Sequence, residues 1–183
     1  MLRTDLLRPL SELVRTQAAR HGDRVAFADG RREVTYADLD RRTARLAGHF
    51  AALGLGRGDR AALYTGNCVE MAESYLAVAR AAGVGVPVKP RTSDDELDHL
   101  LRDSGATLVI TDPTRLEQVL RVAGQARVVV TREDVPGVES FEALATTHPA
   151  QPARDDRGLD DPGVLLYTSG TTGNPKGVRS TTR

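Results

Sequence analysis

Tryptophan is absent from this 183-residue chain, cysteine occurs once and lysine only twice. The single Cys68 excludes an intrachain disulfide and fits a reducing compartment. Aromatic residues make up 4% of the chain, so platforms for stacking nucleic-acid bases are not expected. Charge of one sign is missing too: 25 basic residues balance 25 acidic ones. A dedicated nucleic-acid binder would carry a basic excess, so that class is set aside. No apolar run approaches the length of a membrane span. The N-terminal MLRTDLLRPLSELVR has charges spread through it and lacks the apolar centre of a secretory signal. No N-x-[ST] acceptor occurs. These absences together point to a cytoplasmic protein. What is present is ordinary for a globular chain, with 40% hydrophobic and 27% charged residues. The length suits one domain, or one domain and part of another.

The apolar periodicity alternates between helix and strand. Residues 9–20 read as a helix with Leu10, Leu13, Val14 and Ala18 on one face, and residues 25–36 as a hairpin turning at Asp29-Gly30. Residues 37–53 are helical again. Strands are expected at 60–65, 84–88, 107–111, 127–131 and 163–168, and helices at 67–82, 93–104 and 114–123. Ser93 with Glu96 forms a capping box, and Asp94, Asp95 and Glu96 suit the positive end of that helix. The pattern is α/β: a largely parallel, helix-covered sheet. The expected divisions are an α/β subdomain over 1–147, a Pro-rich, charged linker or surface loop over 148–162, and residues 163–183. That last part holds a strand, a phosphate-binding loop and the start of a next subdomain.

Several smaller features read as structural. Cys68 is expected to be a small buried helix residue, since no His-based partner pattern lies near it. His21, His49, His99 and His148 lack metal-ligand spacing, so no metal site is assigned. Arg57-Gly58-Asp59 spells an adhesion tripeptide but closes a helix-to-strand turn. Arg31, Arg32, Arg41 and Arg42 read as solvated surface.

The chemistry concentrates in LLYTSGTTGNPKGV, residues 165–178. A buried strand runs into a segment of glycines and hydroxyls with one lysine. Gly170, Gly173 and Gly177 let backbone N–H groups approach an anion. Ser169, Thr171 and Thr172 add hydroxyl donors, and Lys176 adds a point charge suited to phosphate. In a chain that otherwise uses arginine, a lysine here suggests that the ammonium itself is wanted. A Walker loop would need G-x-x-x-x-G-K-[ST], which these residues do not spell.

This segment resembles the signature loop of the adenylate-forming superfamily: acyl-CoA synthetases, adenylation domains and luciferases. Residues 167–178 match the pattern [YF]-T-S-G-[ST]-T-G-x-P-K-G-V at every position. VTYADL at 34–39 and YLAVARAAGVGVPVKPRTSDDELDHLLRDSGATLVIT at 75–111 resemble earlier blocks of the family. The chain departs from the pattern at Lys89, where Asn is usual, and at Thr182, where His is common. The S-G-T-T-G form and the V-P-V-x-P-R ending at Arg91 lean toward a fatty or aryl acid over an amino acid.

The resemblance implies the N-terminal part of an ATP-dependent ligase that joins a carboxylic acid to AMP, then passes the acyl group to a thiol. That thiol belongs to coenzyme A or to a carrier protein's phosphopantetheine. Thr168, Ser169, Gly170, Thr171, Thr172, Gly173, Lys176 and Gly177 would hold the ATP phosphates. The Mg2+ ligands, ribose-binding and catalytic-lysine elements of the family do not occur in the 183 residues, so no catalytic residue is assigned and activity is expected to need the C-terminal part of such an enzyme. Two other readings stand beside it: a stand-alone module binding phosphate or a partner without catalysis, and a fragment of an amino-acid adenylation domain.

Overall fold

The computed structural model describes residues 8–168 and 176–181. Helix α1 (Leu10–His21) starts after Pro9 and is followed by the antiparallel strands β1 (Val25–Ala28) and β2 (Glu33–Thr35). Between them Asp29 accepts from the backbone N–H groups of Arg31 and Arg32, which closes the turn. Thr35 caps α2 (Tyr36–Ala52) by accepting from the Asp38 N–H. Tyr36 therefore opens a helix; it does not extend the hairpin. The expected face of α1 is rotated as well. Ser11 and Val14 are buried, whereas Leu10 and Leu13 are exposed.

A seven-stranded sheet follows, in the order β7-β6-β5-β3-β4-β8-β9. Its strands are β3 (Arg60–Tyr64), β4 (Val84–Pro87), β5 (Ala106–Thr111), β6 (Arg127–Val130), β7 (Glu139–Ser140), β8 (Pro162–Thr168) and β9 (Lys176–Thr181). All neighbouring pairs are parallel except β8 with β9. The crossovers carry α3 (Val69–Arg80), α4 (Asp94–Ser104) and α5 (Pro113–Val122), and α6 (Phe141–Thr146) follows β7. Strand alternation sorts the core into two layers. Ala61, Leu63, Leu108 and Ile110 pack with Leu46, Phe50, Val78 and Phe141 from α2, α3 and α6. Ala62, Tyr64, Val86 and Val109 pack with Leu97, Leu101 and Val119 from α4 and α5. Parallel strands buried on both faces explain the near-continuous apolar runs in the sequence.

The capping box on α4 forms as expected: Glu96 N–H donates to Ser93 Oγ, and Ser93 N–H to the Glu96 carboxylate. Cys68 is half-buried at the N-cap of α3, one position before the helix. Burial pushes its thiol pKa up, which disfavours the nucleophilic thiolate.

Two of the arginines expected on the surface are partly buried and ion-paired. Arg42 and Arg32 both reach Glu73 on α3, whose side chain is 0% exposed. Arg42 also takes both oxygens of Glu142, at 2.8 and 2.7 Å. The segment before β8 is tied down by a second set of ions. Arg80, with a side chain 4% exposed, forms a fork onto Asp155 with two 3.0 Å contacts, and its remaining nitrogen reaches Asp40 at 2.7 Å. Buried Arg157 donates to Gly83 O at 3.1 Å and to Pro162 O. Arg57, from the adhesion-like tripeptide, pairs with Asp156 and Asp161, while Asp59 accepts from the Gly56 N–H. The tripeptide is turn chemistry.

The hairpin turn sets one pH dependence. Asp29 accepts from the N–H groups of Val69, Arg31 and Arg32 and faces Arg132, which holds its pKa down to about 2. A carboxyl depressed on folding stabilises the folded state above its unfolded pKa and loses that contribution as pH falls through the folded value. The support from Asp29 is thus complete above about pH 4 and fades toward pH 2. Asp29→Asn should flatten this limb of an acid titration followed by circular dichroism. A limb unchanged by the substitution would count against it.

Candidate functional site

The C-terminal ends of the parallel strands form one edge of the sheet, and open α/β sheets bind ligands along that edge. The rim is stiffened by polar contacts. Asp112 caps α5 through the Thr114 N–H and accepts from the Gly66 N–H after β3, both at 3.1 Å. Arg115 pairs with Asp112 and lies 5.3 Å from the centre of the Tyr64 ring.

β8 brings Thr168, the first of the sequence-predicted site residues, to this rim. Gly85 of β4 lies opposite Val164, so β8 runs parallel beside β4 and ends at the same edge. Thr168 is its exposed last residue. Lys176 opens β9 directly opposite Thr168. Gly177 sits opposite Tyr167, and a Cβ at Gly177 would come 3.0 Å from Leu165 Cδ1 and 3.4 Å from Tyr167 Cζ. Close approach of those two side chains gives a packing reason for glycine there, beside its expected role toward phosphate. Ser169, Gly170, Thr171, Thr172 and Gly173 lie outside the described residues.

Register divides the hairpin into two faces. Leu165 and Tyr167 turn toward the α4 layer and pack on its core. Leu166 and Val178, paired across the strands, are 44% and 53% exposed on the opposite face. Tyr167 is anchored by a 2.5 Å hydrogen bond from its hydroxyl to Asp103. Burial, then that bond and the Asp103 charge, push the Tyr167 pKa well up, so it remains a phenol. Sequence reasoning missed Asp103. Its signal was an acid in the last turn of α4, where the helix dipole disfavours negative charge. Beside this bond lies a cavity of about 590 Å3 lined by Arg60, Asp103, Leu165, Tyr167 and Arg179.

Among the described residues, one group of metal-ligating side chains comes together: Asp29, Cys68 and Glu70, within 4.8 Å of one another. Its carboxylates already accept from Arg132 and Arg32, so a divalent cation there would face two guanidinium groups. These residues do not fit Mg2+.

A family model described as AMP-binding enzyme matches residues 14–183. The chain belongs to the AMP-binding enzymes. Among relatives of this family, a feruloyl-CoA synthase of Amycolatopsis sp is 40% identical over 156 residues, covering 85% of this chain and 30% of that protein. A chalcone synthase, cfoA, of Aspergillus candidus is 37% identical over 174 residues, 88% of this chain and 6% of that protein. The crystal structure of a putative long-chain-fatty-acid CoA ligase from Rhodopseudomonas palustris superposes with a TM-score of 0.85 at 26% identity, covering 97% of this chain and 45% of that one. The chain thus spans less than half of each of these AMP-binding relatives. It has the α/β architecture of the N-terminal part of the adenylate-forming fold. No described helix is long and apolar enough to cross a membrane.

Proposed function

We propose that this chain supplies the phosphate-binding part of an acid–thiol ligase, one that activates a carboxylic acid with ATP and transfers it to coenzyme A or a carrier-protein thiol. The observation that carries this reading is the delivery of Thr168 and Lys176, opposite one another, to the C-terminal rim of a parallel sheet. The intervening sequence matches the family signature throughout. A fatty or aryl acid is favoured by the S-G-T-T-G form, and the 40% identity to a feruloyl-CoA synthase supports the aryl side.

In the reaction a carboxylate oxygen forms a bond to the α-phosphorus, the bond to the bridging oxygen breaks, and pyrophosphate leaves with that electron pair. Both reactants are anionic, so the demand is for charge neutralisation and positioning. Thr168, Ser169, Thr171, Thr172 and Lys176 would donate to the β- and γ-phosphates, with Gly170, Gly173 and Gly177 opening the backbone to them. Mg2+ would be held by other parts of such an enzyme. Those parts would complete catalysis.

Calorimetric titration of the chain with ATP and pyrophosphate tests this reading. Both should bind, and Lys176→Ala should weaken them by about tenfold, the worth of one charge-assisted contact. Undetectable binding at millimolar ligand would remove the phosphate-binding role. Carboxylate-dependent ATP–pyrophosphate exchange by these residues alone would overturn the assignment of the remaining chemistry elsewhere.

A further inference from the structure

The chain holds 23 arginines and two lysines, and the fold brings the positions of both lysines to one place. β8 lies between β4 and β9 in the sheet. On one side Lys176 opens β9 opposite Thr168. On the other, β4 runs parallel to β8 with Gly85 opposite Val164, and Lys89 follows two residues after its end at Pro87. On its other side β4 stays tied to β3 up to Val88, whose N–H donates to Leu63 O at 3.0 Å. Lys89 and Tyr167 also line one small cavity with Pro87, Thr92 and Glu96, which places the two strand ends side by side.

The turn that carries Lys89 is fixed. Thr92 Oγ1 donates to Lys89 O at 2.9 Å, and Thr92 O accepts from Gln118 Nε2 at 2.8 Å. Lys89 itself is exposed, and no ion pair engages its ammonium among the described residues. The nearby Glu96 carboxylate already accepts from Ser93 N–H. A lysine held on this turn, beside the strand that ends in Thr168, is free to meet an anion. Its ammonium can meet a phosphate oxygen as a mobile point charge.

We infer that Lys89 is a second polyphosphate-binding residue of this chain, flanking β8 opposite Lys176 and contacting the terminal phosphates of ATP or the pyrophosphate released from them. The inference rests on the proposed function. Lys89 stands where the family pattern usually has Asn, so it adds a charge that should favour retention of the polyphosphate.

The test is calorimetric titration of the 183-residue chain at low ionic strength with pyrophosphate, ATP and orthophosphate in separate arms. Lys89→Asn should weaken pyrophosphate by about tenfold and orthophosphate by no more than about threefold, and Lys89→Arg should recover part of the loss. An equal loss on ATP places the contact on phosphates still joined to the nucleotide. A loss confined to pyrophosphate places it on the leaving group. Melting temperature should be unchanged, because the side chain is exposed. Pyrophosphate bound as tightly by Lys89→Asn as by the parent overturns the inference while the Lys176→Ala effect keeps the proposed function standing. A parent chain that binds no polyphosphate overturns both.

Discussion

Glu73→Ala should lower the unfolding free energy by about 3–5 kcal/mol, the range for breaking a buried ion pair by removing one partner. Glu73 is 0% exposed and holds Arg32 from the hairpin and Arg42 from α2 against α3. Without it, two arginines would share the remaining acids: Glu142 for Arg42 and Glu70 for Arg32. The side-chain cavity adds to the loss. Urea denaturation of parent and variant measures the difference, and a loss below about 1 kcal/mol would place this cluster with ordinary surface pairs. Glu73→Gln separates charge from shape. It keeps the volume and one acceptor oxygen, so it should retain part of the packing while losing the pairing.

Arg80→Met should have an effect of similar size, about 3–5 kcal/mol, but in a different place. Arg80 forks onto Asp155, reaches Asp40 and donates to Thr43 Oγ1 at 3.0 Å, so it joins α2 and α3 to the segment leading into β8. Methionine fills much of the space and leaves Asp40 and Asp155 without their shared cation. Arg15 remains on Asp155 at 2.9 Å, from a more exposed position. Amide exchange should therefore quicken first over residues 148–161, with β3 and β5 protected longer. Uniform acceleration through the chain would argue that Arg80 supports the whole domain and not this strap.

The parts of the fold legible in the sequence were those with local causes. The capping box at Ser93, the glycine after α2 and the apolar runs of β3 and β5 each sit within a few residues of their own explanation. Three things escaped. β9 carries one large apolar residue, Val178, and has no alternation to announce a strand; its existence depends on β8. β7 and α6 are short, and Ser140 capping α6 is their main local signal. The buried arginines escaped because charge patterning shows which side chains are ionic and not which of them the fold brings together. Glu70 and Glu73 within the small-residue stretch of α3 were the available clue. The site divides in the same way. Its motif was readable as a string of residue types, whereas the approach of Lys89 to Tyr167 near the end of β8 depends on β4 and β8 being neighbours.

The pairing of β8 with β4 also bears on the order of assembly. β3, α3 and β4 close a short circuit of chain, and β5, α5 and β6 close another, so each can collapse early. β8 must find β4 across everything in between, with Gly85 opposite Val164 as the contact that closes the span. Loop-closure entropy sets such long-range pairings late in folding. The β8–β9 hairpin is thus expected to dock last, onto a sheet that has already formed as its scaffold.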